Sequence, residues 1–483
     1  MATLNTLNFD NTFAQLPRQL FTPVVPTPIY APYLVHFNPE AAKLLDLESH
    51  DTKELVDYFS GRALLPGSQP LAMTYSGHQF GHYNPQLGDG RGLLLGEVVN
   101  LKGERWDIHL KGAGKTPYSR FGDGRAVLRS SIREYLCSEA IHALGIPTTR
   151  ALCVIGSQEP VQRETMEQAA TLVRIADSHI RFGHFEWIFN NQPTLLKPFA
   201  DYVIQRHYPH CATADNPYAA LLQAIVDRTA TLMAHWQLVG FAHGVMNTDN
   251  FSITGCTFDY GPYGFLDDYN PGFICNHSDN TGRYAWNQQP SIGLWNLNAL
   301  AYALSPLIAR EDIMTALQSY EDTLVNFYYQ GMKAKLGLSG EHDGDNQLAF
   351  NLLDILMKNH MDYSRSFRAL SHISKYDTTC SLRDDCLDRA SFDDWFLRYS
   401  ARLQLDEMSD AQRQQQMLAV NPKYILRNYL AQIAIEKAEG GDFSELDTLL
   451  RLLQKPYDEH PDFERYADLP PDWGKHLEIS CSS

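Results

Sequence analysis

Apolar residues form short runs in the first half of the chain and longer helical repeats in the second half. Residues 93–99 (LLLGEVV) and 105–110 (RWDIHL) are strand-like runs, and the glycine-containing NLKGE segment between them is typical of a hairpin connection. Residues 170–175 (ATLVRI) predict another strand. Two further short strands, 251–254 and 257–260, are predicted on either side of a two-residue turn. The first part of the chain is therefore predicted to be β-rich.

Helical spacing marks the longer elements. Residues 126–144 carry apolar side chains on one helical face, and Gly145 occupies the position that commonly follows a helix end. Helices are also predicted over 39–47 and 219–239, and the chain beyond residue 294 is mainly helical in pattern. Because β-rich residues precede helical ones, the predicted fold class is α+β.

Composition and charge narrow the class of protein. The 483 residues include 40 basic and 57 acidic side chains, giving a net charge of −17, and a hydrophobic fraction of 44% that is ordinary for a globular protein. We expect no nucleic-acid binding, because that requires a concentrated basic surface. We also expect no membrane span, since no run of about 18 apolar residues is present. The absence of a secretory signal pattern and of any CxxC pair predicts a cytoplasmic protein.

The first candidate ligand site is a glycine-rich loop at residues 88–92 (GDGRG). Three glycines let the backbone approach a ligand and direct N–H groups at phosphate oxygens, although a tight hairpin turn explains the same residues. Lys111 favours phosphate binding, because kinase-like folds bring a lysine to nucleotide phosphates from the end of such a hairpin. Otherwise Lys111 is a surface charge at a strand end. Glu134, in the next helix, either orients Lys111 by an ion pair or is an exposed charge.

A second GDGR sequence at 122–125 precedes the predicted helix, where unpaired backbone N–H groups attract anions. Asp123 could instead be the N-cap of that helix. Arg174 and Arg181 follow, and guanidinium groups bind phosphate through paired hydrogen bonds. Two surface salt bridges would also explain these arginines.

The most specific local pattern is HGVMNTDN, in which Asp249 and Asn250 are adjacent, with Asp259 following in FDYGP. In kinases, one carboxylate accepts the proton of the acceptor hydroxyl, while an amide and a second carboxylate hold magnesium. Carboxylate and amide oxygens are the ligands that magnesium requires. Protein kinases, however, separate this Asp and Asn by four residues.

With these residues in view, the chain closely resembles the selenoprotein O family, which includes the YdiU-like proteins of bacteria. Long motifs over essentially the whole chain carry the resemblance, among them YSGHQFG, QLGDGRGLLLGE, HLKGAGKTPYSRFGDGRAVLRSSIRE, HIRFGHFE, GFAHGVMNTDN and PPDWGKHLEISCSS. The resemblance implies a protein-kinase-like, two-lobed fold. It also implies a protein adenylyltransferase that moves AMP from ATP to Ser, Thr or Tyr hydroxyls of proteins, with ATP flipped relative to its pose in kinases.

The resemblance implies a role for each candidate residue. Asp249 is the expected proton acceptor, and Asn250 and Asp259 are the expected magnesium ligands, with manganese as an alternative metal. Glu134 is expected to support ATP binding by pairing with Lys111. The residues expected to contact ATP are Gly88, Gly90, Arg91, Lys111, Asp123, Gly124, Arg174, Arg181 and Asp259.

The pattern of residues along the chain, taken together with this resemblance, suggests how the chain is divided. Residues 1–70 are expected to form an extended wrapping segment, 71–200 the β-rich N-terminal lobe, and 201–290 the part of the C-terminal lobe with the catalytic loop. Residues 291–483 are expected to complete the C-terminal lobe and add a helical extension. We expect a monomer whose partners are its acceptor proteins.

Three alternatives to the adenylyltransferase remain open from the sequence. They are a kinase-type phosphotransferase, a uridylyltransferase that uses UTP with manganese, and an ATP-binding scaffold without turnover. Cys481 stands where some animal members of the family carry selenocysteine. It is expected either to form a regulatory disulfide with Cys275 or to be an inert cysteine near the C-terminus.

Overall fold

The computed structural model describes residues 2–47 and 51–479, which form a mixed α/β structure with one large sheet and many helices. The strands are β1 Phe21–Pro23, β2 Tyr33–Phe37, β3 Leu71–Met73, β4 Gly77–Gln79, β5 His82–Asn84, β6 Gly92–Val99, β7 Arg105–Lys111, β8 Ala126–Val127, β9 Arg150–Gln162, β10 Met166–Ala176, β11 Phe241–Ala242 and β12 Gly264–Phe265. The helices are α1 Pro39–Ala42, α2 Thr52–Phe59, α3 Leu128–Ala143, α4 Phe182–Asn191, α5 Leu196–His207, α6 Pro217–Val239, α7 Gln289–Leu304, α8 Arg310–Lys335, α9 Asp345–Lys358, α10 Tyr363–Leu370, α11 Leu382–Asp385, α12 Arg389–Leu403, α13 Asp410–Leu418, α14 Asn428–Glu439 and α15 Ser444–Leu453.

The large sheet has the strand order β1-β3-β6-β7-β10-β9-β2, with β8 paired to β10. Neighbouring strands are antiparallel. The register places Gly92 opposite Lys111 across β6 and β7, and His109 opposite Arg174 across β7 and β10. Side chains two residues apart on a strand share a face. The register therefore brings the end of the first glycine-rich loop, Lys111 and Arg174 to one region of the sheet.

The predicted hairpin and the two long helices are confirmed. β6 and β7 match the two apolar runs, and the turn between them is closed by a hydrogen bond from Asn100 N to the Glu104 carbonyl at 2.9 Å. α3 and α6 match the predicted helices within two residues at each end. Gly240, in the left-handed conformation (φ +71°), ends α6 and provides the sharp turn into the next loop.

The two strands predicted over 251–254 and 257–260 are wrong. Their segments make only single bridges to other parts of the chain, from Ser252 to Arg181 and from Thr257 to Thr148. Ile253 N instead donates to the Ile180 carbonyl, and Thr257 N donates to the Pro147 carbonyl. The apolar side chains in these segments are buried in the core. Their backbone groups, however, bond to the chain on either side of β9 and β10 and form no hairpin of their own. An apolar run alone does not distinguish these two situations.

The longest strand, β9, was not predicted. Its 13 residues begin with the apolar segment ALCVI but continue through Gly156 and Pro160, which disfavour a strand in a single sequence. Pairing on both sides, with β2 and β10, stabilises the strand, and the pairing with β10 shifts register between Gln168 and Ala170. Tertiary pairing therefore overrides local preference here.

Helix α3 lies between the sheet and the helical second half of the chain. It packs against β9 and β10 on one side and against α14 and α15 on the other, so Ile132, Tyr135 and Leu136 are fully buried. The predicted helical character beyond residue 294 is confirmed by α8 to α15. Among the helices that the structure describes, none combines the length and apolar character needed to cross a membrane.

Candidate active site

Almost all of the predicted site residues line one cleft of about 600 Å³, a volume typical of small-molecule sites. Its walls come from the two glycine-rich loops, the facing ends of β6 and β7, the junction of β10 with α4, and the loop after α6. The predicted residues that line it are Gly88, Gly90, Arg91, Lys111, Asp123, Gly124, Arg174, Arg181, Asp249, Asn250 and Asp259. Glu134 does not line the cleft. Its side chain is buried behind the wall.

Glu134 holds two cations in the wall of the cleft. Its Oε2 accepts a hydrogen bond from Lys111 Nζ at 2.5 Å, and its Oε1 accepts one from Arg174 Nε at 2.5 Å. Burial raises the pKa of Glu134, but the charges of Arg174 and Lys111 outweigh it and lower that pKa below its usual value. Burial lowers the pKa of Lys111 to about 8, so the ammonium group stays mostly charged at neutral pH. Glu134 therefore positions both cations.

Asp259 is held between two arginines. Arg174 Nη1 lies 2.7 Å from Asp259 Oδ1, and Arg181 Nη1 contacts Oδ2. Arg181 Nη1 also donates to the backbone carbonyl of Asp249 at 2.6 Å. Burial raises the pKa of Asp259, but Arg181 and Arg174 hold it well below its usual range. A continuous chain of charged groups thus runs from Lys111 to the loop that carries Asp249.

The cleft has a cationic lining although the whole chain is acidic. Seven cationic side chains line it against four carboxylates, an excess of three positive charges, and Glu134 and Glu159, which pair with lining cations from outside the cleft, reduce the excess to one. Such a concave positive field attracts polyanions such as triphosphates. The cations are Arg91, Lys111, Arg120, Arg125, Arg163, Arg174 and Arg181, and the lining carboxylates are Asp89, Asp123, Asp249 and Asp259.

Asp249 is a buried carboxylate in the loop after α6, with 8% of its surface exposed. Its Oδ2 accepts a hydrogen bond from Gln79 Nε2 at 3.3 Å, whereas no donor among the described residues reaches Oδ1. Burial raises the pKa of Asp249 to about 7. A carboxylate that titrates near neutral pH is suited to act as a general base. Asp249 can therefore accept a proton from a group bound in the cleft.

Close contacts explain two of the glycines. A Cβ atom at Gly88 would lie 2.6 Å from the ring of Tyr118, and one at Gly124 would lie 2.1 Å from the carbonyl oxygen of Gly114. Both glycines have positive φ, +113° and +75°, which side-chain-bearing residues rarely adopt. Ser119 Oγ adds a hydrogen bond to the Gly90 carbonyl at 2.5 Å. Both glycine-rich loops therefore pack on the segment 114–119, and together they form one wall.

The alternative in which Asp123 caps the following helix is wrong. α3 begins at Leu128 with Val127 at its N-cap position, and strand β8 separates the loop from the helix because it pairs with β10. The second glycine-rich loop is therefore not at a helix N-terminus. Asp123 instead accepts the N–H of Arg125 at 2.8 Å and forms an ion pair with Arg163 at 2.7 Å.

Sequence reasoning missed several residues of the cleft, among them Gln79 and Arg163. Gln79 lies within the YSGHQFG motif, and its place in that family motif is the one sequence feature that could have identified it as a site residue. Arg163 lies in the polar connection between β9 and β10, where nothing in the local sequence separates it from a solvated surface charge. Tertiary pairing with Asp123 brings it to the cleft.

Asn250 and Asp259 offer oxygen ligands for a divalent metal. Asn250 Nδ2 donates to the Val245 carbonyl at 2.9 Å, which leaves Oδ1 as an acceptor, and each Asp259 oxygen retains a lone pair beyond its arginine contact. Within residues 2–47 and 51–479, no three His, Cys, Asp or Glu side chains form a metal cage. Two protein oxygens fit magnesium, which usually keeps several waters and binds substrate phosphates.

The proposed disulfide between Cys275 and Cys481 stays a prediction, because Cys481 lies outside the described residues. Cys275 is buried, and its Sγ donates to the Ala242 carbonyl at 3.5 Å. A Cβ atom at Gly244 would lie 2.6 Å from this sulfur. Cys275 therefore packs against the start of the loop that carries Asp249.

Replacing Glu134 with glutamine should lower both the stability of the protein and its predicted nucleotide binding. The amide keeps the shape but removes the charge that balances Lys111 and Arg174. Removing one partner of a buried ion pair costs about 3–5 kcal/mol. We expect a lower midpoint of thermal unfolding in calorimetry and weaker ATP binding in titration calorimetry. Glu436→Gln, on the exposed surface of α14, is the control, and an unchanged midpoint for Glu134→Gln would contradict the assigned role.

Comparison with known proteins identifies the family. The sequence profile of one family, described as "Protein adenylyltransferase SelO", matches residues 3–454. The chain is 54% identical over 486 residues to "Protein nucleotidyltransferase YdiU" of Aliivibrio salmonicida, and the match covers 100% of both chains. Proteins of the same name are 53% identical in Azotobacter vinelandii, over 100% of both chains, and in Yersinia pseudotuberculosis, over 98% of this chain and 99% of the relative. The chain belongs to the SelO family.

Proposed function

We propose that this protein is a protein adenylyltransferase that transfers AMP from ATP to Ser, Thr or Tyr hydroxyls of other proteins and releases pyrophosphate. The observation that carries the proposal is the position of Asp249. Asp249 lines the same cleft as Arg91, Lys111, Arg174 and Arg181. Its Oδ1 accepts no hydrogen bond from the described residues. A base and several phosphate-binding cations in one cleft are the groups that nucleotidyl transfer to a hydroxyl requires. The name of the family and the names of the relatives agree with this chemistry.

The proposal includes a protein-kinase-like, two-lobed fold. In its support, an antiparallel sheet carries Lys111, which pairs with Glu134 of the helix that follows the second glycine-rich loop. A long helix then precedes the loop with Asp249 and Asn250, and Asp259 follows. Kinases have the same parts in the same order along the chain: a phosphate-binding lysine, a catalytic loop and a metal-binding aspartate.

The cations hold the triphosphate of ATP. Arg174 uses three of its five N–H groups on Glu134 and Asp259, so two donors remain for phosphate oxygens. Arg181 Nε is buried and has no acceptor among the described residues. Arg91 and Lys111 line the same wall. Because Lys111, Arg174 and Arg181 are already fixed by ion pairs, they need little reorganisation when charge shifts from Pα toward pyrophosphate.

The transfer step is a displacement at the α-phosphorus. The acceptor hydroxyl oxygen forms a bond to Pα as the bond between Pα and the bridging oxygen to Pβ breaks. The hydroxyl proton passes to Asp249, and the electron pair of the broken bond leaves with pyrophosphate. When bound at Asn250 and Asp259, magnesium or manganese would neutralise phosphate charge. The chain itself supplies the base and the cations that orient the two reactants.

Parallel incubations with ATP labelled at the α or the γ phosphate test the proposal. We expect only the α label to enter protein, with one pyrophosphate released for each label incorporated, and we expect Asp249→Asn to incorporate it about 10²- to 10⁴-fold more slowly. Incorporation of the γ label would identify a phosphotransferase. Preferential incorporation from α-labelled UTP with manganese would identify a uridylyltransferase. ATP binding without incorporation of either label would indicate a scaffold.

A further inference from the structure

The hairpin formed by β4 and β5 packs directly on the loop that carries Asp249. His78 N donates to Thr248 Oγ1 at 2.7 Å, and Gln79 Nε2 donates to Asp249 Oδ2 at 3.3 Å. A Cβ atom at Gly77 would lie 2.7 Å from Asp249 Oδ1 and 3.0 Å from its Cβ, so the backbone of β4 approaches the carboxylate too closely for a side chain. All three residues of β4 therefore contact Thr248 or Asp249 of the loop.

The tip of the hairpin is also anchored. Phe80 N donates to Asn247 Oδ1 at 3.1 Å and to the hydroxyl of Tyr284 at 2.9 Å, and that hydroxyl donates to Asn247 Oδ1 at 2.6 Å. Phe80 has a φ of +50°, which is uncommon for a bulky residue. Such a conformation persists only where the surroundings hold it. The hairpin is therefore a fixed support for the loop rather than a free surface turn.

One oxygen of the Asp249 carboxylate, Oδ2, accepts a hydrogen bond, whereas Oδ1 is buried beside the backbone of Gly77 and accepts none from the described residues. Gln79 provides the one side-chain hydrogen bond that the carboxylate accepts from the described residues. The terminal torsion of an aspartate is broad and roughly two-fold, so an unrestrained carboxylate rotates readily. A hydrogen bond from an amide to a carboxylate is strengthened by the charge and restricts this rotation.

We propose that Gln79 is a positioning residue, which fixes the rotation of the Asp249 carboxylate through Oδ2 and so sets its orientation toward the acceptor hydroxyl. The inference rests on the proposed function, because it assigns Gln79 to the base of that reaction. Gln79 also lines the cleft, and its own Oε1 accepts from Asn84 Nδ2 at 3.4 Å across the hairpin. The side-chain amide is thus oriented from both ends.

Steady-state kinetics of Gln79→Met test the proposal. Methionine keeps the length of the side chain but cannot donate, so the carboxylate loses its restraint while the ATP-binding cations are unchanged. We expect kcat to fall about tenfold or more, with KM for ATP within about twofold of wild type. Gln79→Glu, which replaces the donor with a repelling carboxylate, should lose more. His82→Ala, at the exposed position opposite Gln79 in the hairpin, is the control and should match wild type.

A double mutant separates positioning from a structural role. In the Asp249→Asn background, Gln79→Met should cause no further loss, because the group it orients is gone. The proposal is overturned if Gln79→Met keeps kcat within twofold, if KM for ATP rises instead, or if the loss is equal in both backgrounds. Failure of the proposed function would appear differently, as no α-label incorporation by wild type.

Discussion

Asp249→Asn should lower the rate of nucleotidyl transfer by about 10²- to 10⁴-fold, the usual contribution of a general base. Asparagine keeps the size of the side chain but cannot accept the hydroxyl proton. The cations proposed to hold ATP are untouched, so ATP affinity should stay within a few-fold of wild type. Quantitative mass spectrometry of modified proteins measures the first effect, and titration calorimetry with ATP measures the second.

The control for this experiment is Asp268→Asn. Asp268 lies in the same part of the chain but outside the cleft lining, where its carboxylate lies 3.5 Å from Lys475 Nζ. The Asp268→Asn variant should catalyse transfer at the wild-type rate. A rate for Asp249→Asn within tenfold of wild type would rule out Asp249 as the base.

Asp259→Ala should nearly abolish transfer. Asp259 is the shared partner of Arg174 and Arg181, and its removal leaves the two guanidinium groups without the carboxylate between them. It also removes one of the two proposed metal ligands. Because phosphoryl and nucleotidyl transfer depend mostly on positioning and charge neutralisation, both losses act on the same step. We expect at least about a 10³-fold lower rate at a fixed magnesium concentration, measured as pyrophosphate released.

Asp354→Asn is the matched control for Asp259→Ala, because Asp354 pairs with Lys358 on the surface of α9 and lies outside this cleft. A metal titration adds a second readout. Asp259→Ala should need more magnesium for its residual activity, whereas Asp354→Asn should follow the wild-type curve. Transfer by Asp259→Ala within a few-fold of wild type would rule out this part of the mechanism.

Local sequence was sufficient where the hydrogen bonds of an element are local. The helix over Leu128–Ala143 and the hairpin of Gly92–Val99 with Arg105–Lys111 were predicted, because their periodicity and turn residues lie within the same short segment. The same reasoning failed for 251–260, where apolar side chains face the core but the backbone bonds to Ile180 and Pro147. It also failed for Arg150–Gln162, a strand stabilised by partners on both sides.

By itself, the sequence determined the family, the hairpin, the long helices and the candidate residues, because contiguous motifs or short-range periodicity are enough to predict each of them. Only the tertiary structure decided which of those residues line one cleft and which, like Glu134, hold the lining side chains from outside it. Glu134 and Arg174 are 40 positions apart, and Arg181 and Asp259 are 78 apart, yet both pairs are in contact. The physical reason is that charge pairing and burial depend on distance in space. Strand register and helix packing set that distance, and no local pattern encodes it.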